Sequence, residues 1–500
     1  MKWKYQMFLV IASLSLTLSI TPSTLNAAEA NDDTISANPA KVTKSQATYR
    51  FDEVLSLLSS LNISGATQDE LLDAALQGMI DSLDDPYTEY YKPAKASAFQ
   101  NAVNGQAVGL GFRIATNDKG IYINQVYPGT PAEQSGLQAG DYLVALGEQQ
   151  ELALTIGELT KAFVGKKEGD TITLKILRSD ENKVITITFK QMQFPISAHH
   201  LLEGKVGYIA LYTFAWNTEI EFAKALTDLQ SKGMTSLIID LRNNGGGYIE
   251  IAKKLAGHFI QNGIFMFEKK QGASEPKPLE IKDGQRLDLP TIILMNEDSA
   301  SASEMFAGFM QDHKLATIIG TRSYGKGVAQ QIFPLISGGS LKVTSMEWLT
   351  PEKHEVNDVG IKPDIEVNGE IEPLIRAMLA LGTPQLDLKL TDTLTQVNGV
   401  DWPVNIPFKK IKESYYVPAR LLAALAEGDI NWDGVNRVVS IKSKISTTSY
   451  PVSVSSTMTG DAFLSDGMSW IRLEAFQEQL PALSWTTEDH NLQLHVKKEE

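Results

Sequence analysis

Ser299-Ala300-Ser301-Ala302-Ser303-Glu304 and, further along, Gly325-Lys326-Gly327 hold the residue types that a hydrolase needs. Serine is a weak nucleophile until a base takes its proton. A lysine can be that base where burial or neighbouring positive charge lowers its pKa. Two pairings are open. Ser301 precedes Lys326 by 25 residues. Ser323-Tyr324-Gly325-Lys326 reads literally as Ser-x-x-Lys, which works on a helix because i and i+3 share a face. Gly320, Gly325 and Gly327 surround that tetrapeptide. Glycine is a poor helix-interior residue, so the segment is expected to be a loop, and the Ser301 pairing is preferred.

Other chemistries find less support. The histidines are His199, His200, His258, His313, His354, His490 and His495. They make no His-Glu-x-x-His pair for zinc, and no Gly-x-Ser-x-Gly elbow stands upstream of one. His199-His200 reads as a solvated linker pair. His313 lies near the serine helix but is a poorer base candidate than Lys326. Asp312 reads as structural. The chain has no cysteine, which excludes disulfides, thiol catalysis and thiolate metal sites. No metal and no organic cofactor are expected. Among 500 residues the formal charge is −15, a poor basis for binding nucleic acid.

Several elements must position this chemistry. Val206–Leu211, Ser236–Leu241, Thr291–Met295, Ala316–Ile319 and Leu341–Trp348 read as strands. Glu219–Leu229, Ile249–Ile260 and Ser301–Met310 have helical periodicity, and such alternation argues an α/β core over 193–380. Helical spacing also marks Phe51–Leu58 and Leu71–Leu83, with Asp84-Asp85-Pro86 ending the run.

Between them, 101–192 looks β-rich. Gly109-Leu110-Gly111-Phe112, then Pro131-Ala132, Gly136-Leu137 and Gly140-Asp141, resemble a PDZ domain. The resemblance implies that Gly109, Leu110, Gly111 and Phe112 form a carboxylate-binding loop. Successive N–H groups there would hold a chain terminus while the ligand adds a strand to a sheet edge.

Four motifs in order resemble the carboxyl-terminal processing peptidases, the tail-specific serine proteases of the S41 family. They are Asn243-Asn244-Gly245-Gly246-Gly247, the Ser299–Glu304 run, Thr321–Gly327 and Gly360-Ile361-Lys362-Pro363-Asp364. The resemblance makes Ser301 the nucleophile, Lys326 the base, and Gln330 the residue that holds the lysine amine. Ala302 N–H would be one oxyanion donor. Gly246 N–H, with Gly247 close behind, would be the other. Two positions depart from the family pattern. Gly245 replaces its usual proline, and Val164-Gly165 stands where an arginine commonly precedes the glycine.

The fold class expected is a mixed α/β multidomain chain. A signal peptide (1–30) and linker (31–47) lead to a helical N-terminal region (48–100). The PDZ module (101–192) precedes the α/β serine-peptidase core (193–380). A small α+β repeat domain (383–500) ends the chain. Tyr416–Leu425 with Trp432, and Trp470–Gln479 with Trp485, look like two copies of strand, helix and hairpin. They resemble the copper amine oxidase N-terminal-like "stalk" module.

Lys2 and Lys4 before the apolar run 8–20, with Ala27, Ala28 and Ala30 after it, suggest export from the cytoplasm. Left uncut, this segment would keep the chain near a membrane. Expected partners are protein or peptide substrates with free, apolar C-termini. Homodimerisation is implied by the family resemblance alone.

Overall fold

The computed structural model describes residues 46–497, apart from 118, 148–153, 179–180, 445, 454–459, 466 and 489–490. The expected signal segment, nearly all of the linker and His490 lie outside the described residues. Two compact units are present. One comprises residues 100–327 and 347–497, the other residues 46–99 and 328–346.

The first unit is built on a six-stranded sheet. Its strands are β1 (Ser197–Leu202), β2 (Val206–Leu211), β3 (Ser236–Asp240), β4 (Thr291–Met295), β5 (Thr317–Gly320) and β6 (Ile365–Glu366). They lie side by side in chain order, and only β1 is antiparallel to its neighbour. Every residue of β2, β3 and β4 is buried. Parallel strands covered on both faces need such unbroken apolar runs. Three helices accompany them: α1 (Thr218–Ser231), α2 (Ile249–Ala256) and α3 (Ala302–Asp312). The sequence places the end of α2 at Ile260, but the helix stops before Gly257.

His199 and His200 are not in a linker. They lie on β1, opposite Ile209 and Tyr208. His199 Nε2 is 3.1 Å from Asp228 Oδ2 on α1. An edge strand exposed on one side lacks the apolar run that reveals the central strands.

The PDZ-like segment is a five-stranded antiparallel sheet in the order Phe112–Asn117, Gly120–Val126, Tyr142–Leu146, Thr171–Arg178, Glu181–Thr188. Phe112–Asn117 is therefore an edge strand. Gly111 turns the chain into it at φ +90°, and a Cβ there would sit 2.2 Å from Thr130 Cβ, so only glycine fits. Leu110 is buried in the module's core. Phe112 packs edge-on against Phe163 of the helix Ile156–Phe163, with ring centroids 6.2 Å apart.

The C-terminal segment contains the expected repeat. Ser414–Pro418, Ala419–Leu425 and the hairpin Asp429–Lys442 form one copy. Met468–Arg472, Leu473–Gln477 and the paired strands Leu483–Glu488 and Asn491–Lys497 form the other. The first strands of the two copies pair with each other. One apolar core runs from Ile238, Ile292 and Leu294, through Leu374 and Met378, to Leu421, Leu425, Leu492 and Leu494. The linking helix Glu372–Ala380 is buried along almost its whole length. Arg376 pairs with Glu427 at 3.0 Å and Arg420 with Glu372 at 2.7 Å. The repeats thus share the core of the α/β sheet.

In the second unit, the helices Gln46–Leu61 and Gln68–Asp81 have no buried residue. Strand Glu89–Tyr91 pairs antiparallel with Ser340–Lys342. Val328–Pro334 lies in the same unit. No helix among the described residues is long and apolar enough to cross a membrane.

Candidate active site

Three adjacent parallel strands release the three chemical motifs from their C-terminal ends. Asn243–Gly247 follows β3, Ser299–Ser303 follows β4, and Arg322–Gly327 follows β5. That edge of an open parallel sheet is where ligands of such folds bind.

Ser301 sits on the turn between β4 and α3, with φ 60° and ψ −115°. A non-glycine residue in that region is strained. The turn is a sharp strand-to-helix elbow made from small residues, Ala300 and Ala302, rather than from the glycines of the usual elbow motif.

The three serines of the motif divide their roles. Ser299 Oγ donates to Leu241 O at 2.8 Å. Ser303 Oγ donates to Asn244 O at 2.8 Å. Ser299 thus pins the helix start to the end of β3, and Ser303 pins it to the Asn243–Gly247 turn. Ser301 Oγ is buried with no hydrogen-bond partner among the described residues. Leaving a buried hydroxyl unpaired costs roughly 1–3 kcal/mol, so this hydroxyl is held ready at a cost in stability.

Lys326 is fully buried on the loop that leaves β5. Its carbonyl accepts Trp348 Nε1–H at 3.0 Å, and Gly327 O accepts Trp348 N–H at 2.9 Å. Gly327 is required there, since a Cβ would come within 2.2 Å of Asn357 N.

Glu304 joins the serine turn to the lysine loop, a role the sequence reading missed. Its Oε2 accepts the N–H of Ser301 at 2.7 Å and of Lys326 at 2.9 Å. Its Oε1 accepts Ser323 Oγ–H at 2.5 Å and Gly325 N–H at 2.6 Å. Burial pushes the Glu304 carboxyl above its ordinary pKa, against the opposing pull of these four donors. The only sequence signal was a carboxylate three residues into a helix, which reads as a cap.

Ser323 is in a loop, as its glycines predicted. Its hydroxyl donates to Glu304 and accepts Ile361 N–H at 2.6 Å. Both bonds are structural, which leaves the Ser-x-x-Lys pairing without a free nucleophile.

Asn244 organises the glycine turn. Its Nδ2 donates to Leu211 O at 2.8 Å, and its Oδ1 accepts Gly246 N–H at 2.9 Å. Gly246 itself lies against the serine turn. A Cβ on it would be 2.9 Å from Ala300 O and 3.0 Å from Ala302 N. Its N–H is engaged, however. Gly247 is bridged to Phe214 through its neighbours, with Phe214 N–H donating to Gly246 O and Tyr248 N–H to Phe214 O. Among the described residues, the N–H groups of Gly247 and Ala302 have no acceptor. Below the turn, Asp240 is gripped by Arg242 at 2.5 Å and by Tyr208 OH at 2.8 Å.

Gln330 lies on the strand Val328–Pro334, only 1% exposed, and its Nε2 donates to Thr344 Oγ1 at 3.2 Å. His313 Nε2 is held by Ile264 O at 2.8 Å. Asp312 Oδ2 accepts Glu352 N–H at 2.8 Å, the structural use expected of it. Asp312, Glu352 and His354 each bring one ligand atom within 4.8 Å of the others, on a largely exposed surface.

Comparison with known proteins bears on this geometry. Residues 205–367 match the family model "Peptidase family S41". Ser301, Lys326, Gln330 and Glu304 all fall inside that match. Residues 108–189 match the PDZ domain, and residues 11–94 match the N-terminal domain of the activating protease CtpB. A probable CtpA-like serine protease of Staphylococcus epidermidis is 33% identical over 304 residues, covering 60% of this chain and 62% of that protein. One from Staphylococcus aureus is 32% identical over 323 residues, covering 64% of each. The chain thus spans less than two thirds of the length of these curated relatives. A solved photosystem II D1 C-terminal processing protease aligns with 66% of this chain and 95% of its own, at 23% identity and a TM-score of 0.41. The three matched segments end at residue 367, so the stalk-module resemblance of 383–500 gains nothing from them.

Proposed function

We propose that this chain is an exported serine endopeptidase that captures the C-terminal tail of a protein substrate and cleaves it through a Ser301 acyl-enzyme. The observation that carries the reading is the unpartnered Ser301 hydroxyl. It is buried at a strained elbow, between two serines committed to structure, and its backbone shares one carboxylate oxygen with that of buried Lys326.

In this reading Ser301 Oγ attacks the scissile carbonyl carbon while its proton passes to the neutral Lys326 amine. The resulting oxyanion takes hydrogen bonds from the Ala302 and Gly247 N–H groups. Gly247 replaces Gly246 as second donor because the Gly246 N–H already serves Asn244. Lys326 then gives its proton to the leaving amine, and an ester on Ser301 remains. Water, deprotonated by Lys326, releases the acyl half. Gln330 holds the lysine amine, as the family resemblance implies. The substrate's terminal carboxylate lies on the Gly109–Phe112 loop, and its last residues add to the edge strand Phe112–Asn117. Export rests on the basic and apolar character of the first 30 residues.

The test is proteolysis of an unstructured protein with an apolar C-terminus. Wild type is compared with Ser301→Ala and Lys326→Ala, and the substrate with its C-terminally amidated form. The reading requires activity to vanish in both variants and to fall on amidation. Activity surviving in Ser301→Ala would remove the mechanism. Activity indifferent to amidation would remove tail recognition alone. A catalytically silent binding protein is the alternative, and an inactive wild type that still binds the free C-terminus would favour it.

A further inference from the structure

The turn after β3 holds three glycines in a row, Gly245, Gly246 and Gly247. Glycine restrains its own backbone less than any other residue. The Gly246–Gly247 peptide carries the N–H that the proposed reaction offers to the oxyanion. Such a donor helps only if it already points at the place where charge develops. Contacts from outside the turn must therefore fix this peptide plane.

The plane is held from its carbonyl side. A trans peptide is planar, with its C=O and N–H pointing in opposite directions. Two donors converge on Gly246 O, Phe214 N–H at 2.9 Å and Thr213 Oγ–H at 3.2 Å. A carbonyl oxygen has two lone pairs, so these two donors can occupy both. With the C=O directed toward Thr213 and Phe214, the Gly247 N–H is aimed away from them. Phe214 also packs on Gly247 itself, where an added Cβ would sit 2.5 Å from Phe214 O. The backbone of Thr213 is steadied without its own hydroxyl. Thr218 Oγ–H donates to Thr213 O at 2.9 Å, and Thr218 Oγ1 accepts Ala215 N–H at 2.9 Å. The Thr213 hydroxyl also lies 3.3 Å from Val103 O. One proton thus serves two carbonyls, and the bond to Gly246 is weaker than an undivided one.

We propose that Thr213 is a positioning residue for the peptidase reaction, clamping the Gly246 carbonyl together with the Phe214 N–H and so aiming the Gly247 N–H as oxyanion donor. This rests on the reading that Ser301 forms an acyl-enzyme with Gly247 in its oxyanion hole. Thr213 lies two residues past the end of β2, outside every motif that pointed to the chemistry.

The experiment compares wild type, Thr213→Val and Thr213→Ser in the full chain. It measures kcat and KM on an unstructured fluorogenic peptide with a free apolar C-terminus. It also measures inhibition by a short peptide aldehyde ending at the cleaved bond. Ser301 Oγ adds to the aldehyde carbon, its proton passes to Lys326, and the former carbonyl oxygen takes the oxyanion place. Aldehyde affinity therefore reports the oxyanion donors. Thr213→Val keeps the side chain's shape and removes the hydroxyl. It should lower kcat about three- to thirtyfold with KM little changed, short of the roughly hundredfold or greater loss of a whole oxyanion donor. Aldehyde affinity should fall by a similar factor, and Thr213→Ser should restore most of both. Wild-type kcat and aldehyde affinity in Thr213→Val would overturn the proposal. So would a loss confined to KM, or a Thr213→Ser variant as poor as Thr213→Val. If melting shows that Thr213→Val does not fold, Thr213→Ala takes its place beside Thr213→Ser. A wild type that neither cleaves the peptide nor binds the aldehyde would remove the acyl-enzyme reading and this proposal with it. A wild type that does both, matched by the valine variant, would remove the role of Thr213 alone.

Discussion

Replacing Glu304 by glutamine tests how the serine turn and the lysine loop are held together. The carboxylate accepts four hydrogen bonds, two on each oxygen. Glutamine keeps one acceptor oxygen and puts an NH2 in place of the other. If the NH2 replaces Oε2, the N–H groups of Ser301 and Lys326 both face a donor. If it replaces Oε1, the Ser323 hydroxyl can reverse and accept, and only Gly325 N–H is stranded. The second arrangement is cheaper and sets the expected loss. One unsatisfied buried N–H costs about 1–3 kcal/mol, and the surviving bonds each lose roughly 1 kcal/mol of charge assistance. The gross loss is then on the order of 3–5 kcal/mol. Glutamine also removes a buried charge, whose desolvation holds the Glu304 pKa up, and this returns part of it. A net loss of about 2–4 kcal/mol follows. Hydrogen exchange of residues 320–328 reads the loop directly. Their protection should fall in Glu304→Gln, together with kcat. Wild-type protection and wild-type kcat in the variant would refute the bridging role.

Three further outcomes are expected. Ser323→Ala should leave labelling of Ser301 by an acylating inhibitor intact but lower stability by about 1–3 kcal/mol, since Glu304 and Ile361 N–H both lose a partner; calorimetry and labelling check the two halves. A chain ended after residue 382 should be insoluble or molten rather than an active core, because Leu374 and Met378 share their core with the repeats; expression with near-ultraviolet circular dichroism decides. Asp85 has a folded pKa below its reference value of 3.8, so its stabilisation is complete above that value and is lost as pH falls through the lower folded pKa. Acid unfolding curves of wild type and Asp85→Asn should therefore begin to approach each other only below pH 3.8 and meet below the folded pKa, and curves that stay parallel would contradict the depressed pKa.

How far the sequence could be read follows from the range of the forces involved. β2, β3 and β4 were visible because strands buried on both faces must be apolar throughout. The Ser323 segment was rightly read as a loop, because glycine acts on its own backbone. Glu304 gives locally no more signal than a first-turn helix carboxylate, because its partners Ser323, Gly325 and Lys326 lie 19, 21 and 22 residues away. Nothing local marks such a bridge. The Gly246 amide seemed available because no sequence rule shows that Asn244 Oδ1 already holds it. His199 and His200 looked like linker because an edge strand has no full apolar run. The C-terminal repeats looked separable because a repeat signal says what resembles what, and nothing about which core it joins.

The same geometry explains why an uncomfortable serine can persist. Ser301 carries two costs, a backbone outside the usual allowed regions and a buried hydroxyl without a partner. Each is worth on the order of 1–3 kcal/mol. Neither would survive on an isolated strand-to-helix turn. Here the turn is held by bonds that avoid the hydroxyl. Ser299 ties it to Leu241 and Ser303 to Asn244, Ala300 N–H donates to Asn244 O at 3.1 Å, and Glu304 takes the Ser301 N–H. These partners follow β3 and β4, and Glu304 also accepts Lys326 N–H from the loop after β5, so strands that the sheet already holds side by side supply the bracing. Parallel order in chain sequence brings the three motifs together. Their cross-bracing lets one hydroxyl in three stay unpaired, and that hydroxyl is the one the proposed reaction uses.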